Sequence, residues 1–115
     1  MRRKLPLPLT PLSYQILLAL ADRPRHGYGI IKEIEEREGA PSAPSTGALY
    51  LALQRMEGEE LIEERDPPAG ERDRRRHYYG LTERGRELAR AESERLATLV
   101  AAARRKRLLA EGGRG

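Results

Sequence analysis

The 115-residue chain carries 22 Lys and Arg against 18 Asp and Glu, a net charge of +4, and contains no cysteine, phenylalanine or tryptophan. That length allows one domain with at most an appended element. The absence of cysteine excludes a disulfide framework and thiolate metal sites, and no apolar run is long enough to span a membrane. With 38% hydrophobic and 35% charged residues, the core is short of large side chains, a situation in which a partner subunit often completes it.

The N-terminal M-R-R-K-L-P-L-P-L-T-P has prolines where a secretory signal needs a continuous apolar run, so a cytoplasmic protein is expected. Residues 1–9 read as a flexible basic arm that either frays or touches phosphate through Arg2, Arg3 and Lys4. Thr10-Pro11 is a helix start, a capping residue followed by proline at the first helical position. The helix is expected to run to about Asp22, before Pro24. Its Ile16, Leu17, Leu18 and Leu20 cover more than one face, which suits burial against its own domain and a partner.

A second helix is expected over 27–38, opened by His26-Gly27-Tyr28-Gly29. Its apolar stripe is read as Tyr28, Ile30, Ile31 and Ile34, with Tyr28 assigned to the core. A loop rich in Pro and Ser then delivers the chain to Ser45, the N-cap of a third helix that ends near Gly58. At about 100° per residue, Leu49, Leu53 and Met56, with Ala52 beside them, share one face. Gly47, Leu51, Gln54 and Gly58 share the opposite face, flanked by Tyr50 and Arg55. One side suits a core; the other is open to a partner.

Strands are expected at 61–65 and 77–81, joined by the turn D-P-P-A-G-E-R-D-R-R-R, in which Arg72, Arg74, Arg75 and Arg76 concentrate positive charge. Alone, such a run reads as a solvated loop; on a hairpin beside an open helix face it reads as a phosphate clamp. Helix, strand, basic turn, strand is the working part of a winged helix-turn-helix. The fold class is therefore mainly α with a small β-hairpin, the winged domain spanning residues 10–82.

Thr82 caps a last helix, assigned to 83–111 with a disordered tail at 112–115. Its stripe of Leu88, Ala89, Leu96, Leu99, Val100 and Ala103 is interrupted by Glu92 and lacks a cover within the chain. A homodimer is expected, its interface formed by Leu12, Ile16, Leu88, Leu96, Leu99, Val100 and Ala103. Arg104, Arg105, Lys106 and Arg107 read as charges that complement the helix dipole.

On the third helix, Ser45, Thr46 and the amides around Gly47 would hold a phosphate. The Tyr50 hydroxyl would bond another, and Gln54 would read a base edge. The competing reading of these residues is an ordinary solvated surface. His26 and His77 are the only histidines, there is no nucleophile motif or phosphate-binding glycine loop, and no catalytic residue, metal or cofactor is expected.

These segments resemble a known family. I-L-L-A-L-A-D-R-P-R-H-G-Y-G-I-I-K-E-I-E-E is similar to the opening two helices of PadR-family transcriptional regulators. S-T-G-A-L-Y-L-A-L-Q-R-M-E-G-E-E-L-I-E-E-R is similar to their recognition helix and first wing strand, and R-R-R-H-Y-Y-G-L-T-E-R-G-R-E-L to their second strand and the start of the dimerising helix. The resemblance covers roughly residues 12–90 and implies a homodimeric winged-helix binder of double-stranded DNA, usually a repressor that a small molecule releases. The chain departs from the family at Leu51, where proline is usual; an outward Leu51 would contact DNA, for instance a thymine methyl. It departs again beyond Tyr79, where no aromatic residue follows, so a flat effector would find only Leu, Val, Ala and Tyr14. Two other readings fit the same residues: a winged-helix adaptor for an acidic protein, with Leu51 in its hot spot, and an architectural protein that binds DNA without sequence preference.

Overall fold

The computed structural model describes residues 7–70 and 77–110. Four helices, α1 (Pro11–Leu20), α2 (Gly27–Glu38), α3 (Thr46–Gly58) and α4 (Glu83–Arg105), surround a three-stranded antiparallel sheet of β1 (Arg25–His26), β2 (Ile62–Arg65) and β3 (Tyr78–Leu81). The strand order is β1-β3-β2. The expected hairpin pairs Ile62 with Leu81 and Arg65 with Tyr78. The third strand is an addition to it: Arg25 and His26 pair with Tyr79 and Tyr78. Two residues are too few for alternation to announce a strand.

Each helix starts at the residue whose side chain caps it. Thr10 Oγ1 accepts from the Ser13 amide at 3.2 Å, His26 Nδ1 from Gly29 at 3.0 Å, Ser45 Oγ from Ala48 at 3.1 Å and Thr82 Oγ1 from Gly85 at 2.9 Å. Helix α1 lies at the centre, touching α2, α3, α4 and β3. Its Ile16, Leu17, Ala19 and Leu20 are buried with Ile30, Ile34, Leu49, Leu53, Met56, Leu61, Ile62, Leu81 and Leu88. It stops at Leu20, where Arg25 Nε donates to the Ala19 carbonyl at 2.7 Å.

Two helices end through left-handed residues that are not glycine. After α3, Glu60 has φ 64°. The Leu61 amide bonds the Met56 carbonyl and the Glu60 amide bonds the Glu57 carbonyl, each at 3.0 Å, the Schellman pattern. After α4, Arg107 has φ 65°, with Leu108 bonding Ala103 at 2.8 Å and Arg107 bonding Arg104 at 3.0 Å. The last helix therefore stops five residues before Ala110, because this local pattern satisfies its final carbonyls.

The joint between α3, β2 and α4 is held by backbone. The Thr82 amide donates to the Leu61 carbonyl at 3.1 Å and the Thr82 hydroxyl to the Glu60 carbonyl at 2.6 Å. Gly85 faces this joint: a Cβ there would overlap the Leu61 carbonyl oxygen and lie 3.0 Å from its carbon. Gly85 is what allows α4 to approach.

Glu92, read from the sequence as an interruption of the apolar stripe, is 1% exposed. Arg95 grips it with Nε at 2.7 Å and Nη2 at 3.0 Å, and the Leu9 amide donates to Oε2 at 3.0 Å. Leu7 and Leu9 pack against the core. Residues 7–9 are thus seated rather than part of a flexible arm; Arg2, Arg3 and Lys4 lie outside the described residues. The Arg95 hydrogen bonds, helped by the Leu9 amide and opposed by burial, hold the Glu92 carboxyl below its ordinary value.

Two outcomes follow for stability. Gly85→Ala is expected to cost about 1–3 kcal/mol, because the clash is with backbone; an unchanged urea midpoint would refute the close-approach account. A carboxyl whose folded pKa is depressed stabilises the fold above its ordinary value, and that contribution is lost as pH falls through the depressed one. Glu92→Gln should therefore cost about 1–2 kcal/mol at pH 7. The gap from wild type should close in acid below about pH 4.5, and a pH-independent gap would count against the ionised form.

Candidate nucleic-acid interface

The outward face of α3 carries a mixed set of side chains. Leu49, Ala52, Leu53 and Met56 are buried, whereas Thr46, Gly47, Tyr50, Leu51 and Gln54 face solvent, Leu51 at 70% exposure and Tyr50 at 46%. Tyr50, Leu51 and Gln54, with Gly47, Glu57 and Tyr79 of β3, line an open groove of about 450 Å³. An exposed leucine between an aromatic hydroxyl and a carboxamide is a surface that could read both the apolar and the hydrogen-bonding features of a base-pair edge. Tyr79 closes one side. Burial first, then the charges of Glu57 and Glu64, raise its hydroxyl above its ordinary value and keep it a hydrogen-bond donor.

Tyr50 is positioned by α2. A Cβ on Gly27 would overlap the Tyr50 hydroxyl and lie 2.6 Å from ring carbon Cζ. The missing side chain at the start of α2 thus leaves room for the far end of the Tyr50 ring. The H-G-Y and G-A-L-Y segments of the sequence meet at this contact.

The other expected contact residues are distributed differently. Ser45 Oγ is occupied as the cap of α3, leaving the amides of the first turn as the anion-facing groups there. Arg55 turns away from the groove: its Nη2 donates to the buried Ser13 hydroxyl at 3.1 Å and its Nη1 lies 3.9 Å from Glu59. It braces α3 against α1 while its side chain stays 48% exposed. Arg72, Arg74, Arg75 and Arg76 lie outside the described residues. His77 precedes β3 and is paired with Glu64.

A second surface lies on α4, whose 23 residues extend about 34 Å. Its first half packs on the core through Gly85, Leu88 and Ala89. Its second half presents Leu96, Leu99, Val100 and Ala103 one turn apart, with Leu99 at 54% exposure. Two residues expected at the same interface are fully buried within the chain's own core: Ile16 and Leu88. Leu12 is half-buried against the core. Tyr14 ties α1 to α4 through a 2.6 Å hydrogen bond with Ser93.

Tyr28, expected in the core, faces solvent instead. It is 55% exposed. On a helical projection it lies about 160° from Ile30, about 120° from Ile34 and only about 40° from Lys32. Among the described residues, no group of three His, Cys, Asp or Glu is arranged to hold a metal ion, and no helix is long and apolar enough to cross a membrane.

Residues 16–91 match the model of the transcriptional regulator PadR-like family. A PadR family transcription regulator from hypervirulent Clostridium difficile R20291 superposes with a TM-score of 0.72 at 26% identity, over 84% of this chain and 97% of that one. RosR of H. salinarum superposes with a TM-score of 0.62 at 28% identity, over 89% of this chain and 88% of its own. An uncharacterized 37.1 kDa protein in transposon TN4556 of Streptomyces fradiae is 42% identical over 84 residues, which is 73% of this chain but only 22% of that protein.

Gly27→Ala is expected to displace the Tyr50 ring while costing no more than about 1 kcal/mol, since the far end of a side chain gives way more readily than backbone. Shifted Tyr50 ring resonances, with those of Tyr14 unmoved, would bear this out. Unmoved Tyr50 resonances would refute the contact.

Proposed function

The chain belongs to the transcriptional regulator PadR-like family, and on that premise we propose that it is a homodimeric, sequence-specific DNA-binding repressor whose α3 reads a pseudo-palindromic operator. The observation that carries the reading is the division of α3 into a packed face and a solvent face bearing Tyr50, Leu51 and Gln54. Buried packing fixes the helix, and the open side supplies groups suited to a major groove. Gln54 is assigned to a base edge, Leu51 to an apolar contact such as a thymine methyl, and Tyr50 to phosphate. The amides of Thr46 and Gly47 sit at the positive end of the helix and suit a second phosphate. Arg72, Arg74, Arg75 and Arg76 would add sequence-independent affinity.

Dimerisation is assigned to Leu96, Leu99, Val100 and Ala103, supported by Leu12. Water-exposed aliphatic side chains repeating at one-turn spacing are stabilised by an equivalent stripe on a second copy. A small-molecule effector is not part of the proposal, because this surface offers aliphatic groups and its neighbouring Tyr14 already bonds Ser93.

The combined variant Tyr50→Ala, Gln54→Ala tests the assignment on a duplex that the wild-type protein selects. Its affinity should fall to that for random DNA, a loss of about 2–5 kcal/mol for the two contacts, while sedimentation still reports a dimer. Undiminished specific binding would remove α3 as the reader. A wild-type chain that binds no duplex at low salt would favour the protein-adaptor reading, with Leu51 as its exposed anchor.

A further inference from the structure

We propose that Tyr28 and Lys32 form a phosphate contact on α2, so that the DNA-binding surface extends from α3 across the first turns of the preceding helix. This rests on the DNA-binding reading above and adds two residues to it.

The two side chains stand one turn apart on the solvent side of α2, opposite Ile30 and Ile34, which enter the core. Tyr28 is held in a defined place. The His26 ring stacks on it nearly parallel, with centroids 6.4 Å apart and planes inclined by 16°. Lys32 Nζ sits 5.8 Å from the Tyr28 ring centroid. His26 is fixed in turn by its Nδ1 bond to the Gly29 amide at 3.0 Å and by an edge contact with Tyr78, at 5.1 Å between centroids. A tyrosine braced in this way loses little freedom when its hydroxyl meets an anion.

Position connects the pair to α3. Buried Gly27, the residue before Tyr28, abuts the Tyr50 hydroxyl, so the start of α2 borders the face assigned to base reading. In a helix-turn-helix the helix preceding the reader crosses the DNA backbone, where a phenol hydroxyl and an ammonium both donate to phosphate oxygen. Lys32 now pairs with Glu35 at 3.4 Å. The Lys32 side chain is 49% exposed and that of Glu35 33%, and a pair so open to water is weak enough for a phosphate to displace.

The test is a fluorescence-anisotropy titration of the full chain with a selected duplex and with random-sequence DNA, at several salt concentrations, for wild type, Tyr28→Phe and Lys32→Ala. Circular dichroism confirms that each variant is folded. Tyr28→Phe should weaken binding about tenfold, the loss of one charge-assisted hydrogen bond. Lys32→Ala should lower the slope of log affinity against log salt by about one. Both losses should be equal on the two DNAs. Unchanged affinity and slope in variants of a wild type that does bind would overturn the contact alone. A loss confined to the selected duplex would also overturn it, because it would mark base reading rather than phosphate binding. A wild type that binds neither DNA would overturn the function itself.

Discussion

Leu61 stands where the third helix, the sheet and the last helix meet. Its amide closes the end of α3 on Met56, its side chain is buried in the core, and its carbonyl accepts from Thr82 while lying against Gly85. A chain with no phenylalanine or tryptophan has few large side chains with which to bridge its elements. Here they are drawn together by small aliphatic groups and by backbone approaching backbone. The restriction at Gly85 and the left-handed turn at Glu60 are two sides of that one joint: the first lets α4 come close, and the second turns the chain from α3 into β2.

The proposed function depends on that joint because it fixes the direction of α3. With Leu49, Leu53 and Met56 locked into the core beside α1, Tyr50, Leu51 and Gln54 have no inward alternative. The start of α2 gives Tyr50 its place through the bare backbone of Gly27, and Arg55 leaves the groove to brace α3 on Ser13. On the far side of α1, Glu92 gathers Arg95 and the Leu9 amide, joining the N-terminal segment to α4 before that helix extends its exposed aliphatic stripe. The face of α3 proposed to read DNA and the α4 stripe proposed to pair with a second copy are thus both mounted on one small core.

Much of this was legible in the sequence where the cause is local. Thr10, Ser45 and Thr82 announce their helices because a capping oxygen acts over three residues. The division of α3 follows from helical spacing, and the two wing strands fall within one residue of their expected starts. What escaped were effects of distance and of small number. Two residues of β1 are strand only because β3 lies beside them. Glu92 looks like a break in a stripe until Leu9, 83 residues away, is brought to it. Arg55 lies near the open face on a projection, but its length lets it reach back to Ser13. The end of α4 went unread because Arg107, not a glycine, takes the left-handed conformation. Tyr28 is a different case: its spacing already opposed the core assignment, and its apolar ring outweighed that signal.

The most direct test of the claim that paired α3 helices read DNA is the sequence recovered when the wild-type protein selects duplexes from a random pool. The expected result is an inverted repeat whose half-site centres lie about one helical turn apart, bound far more tightly than bulk DNA as salt is raised. A pool without a recurring sequence, or a recurring sequence without dyad symmetry, would contradict it.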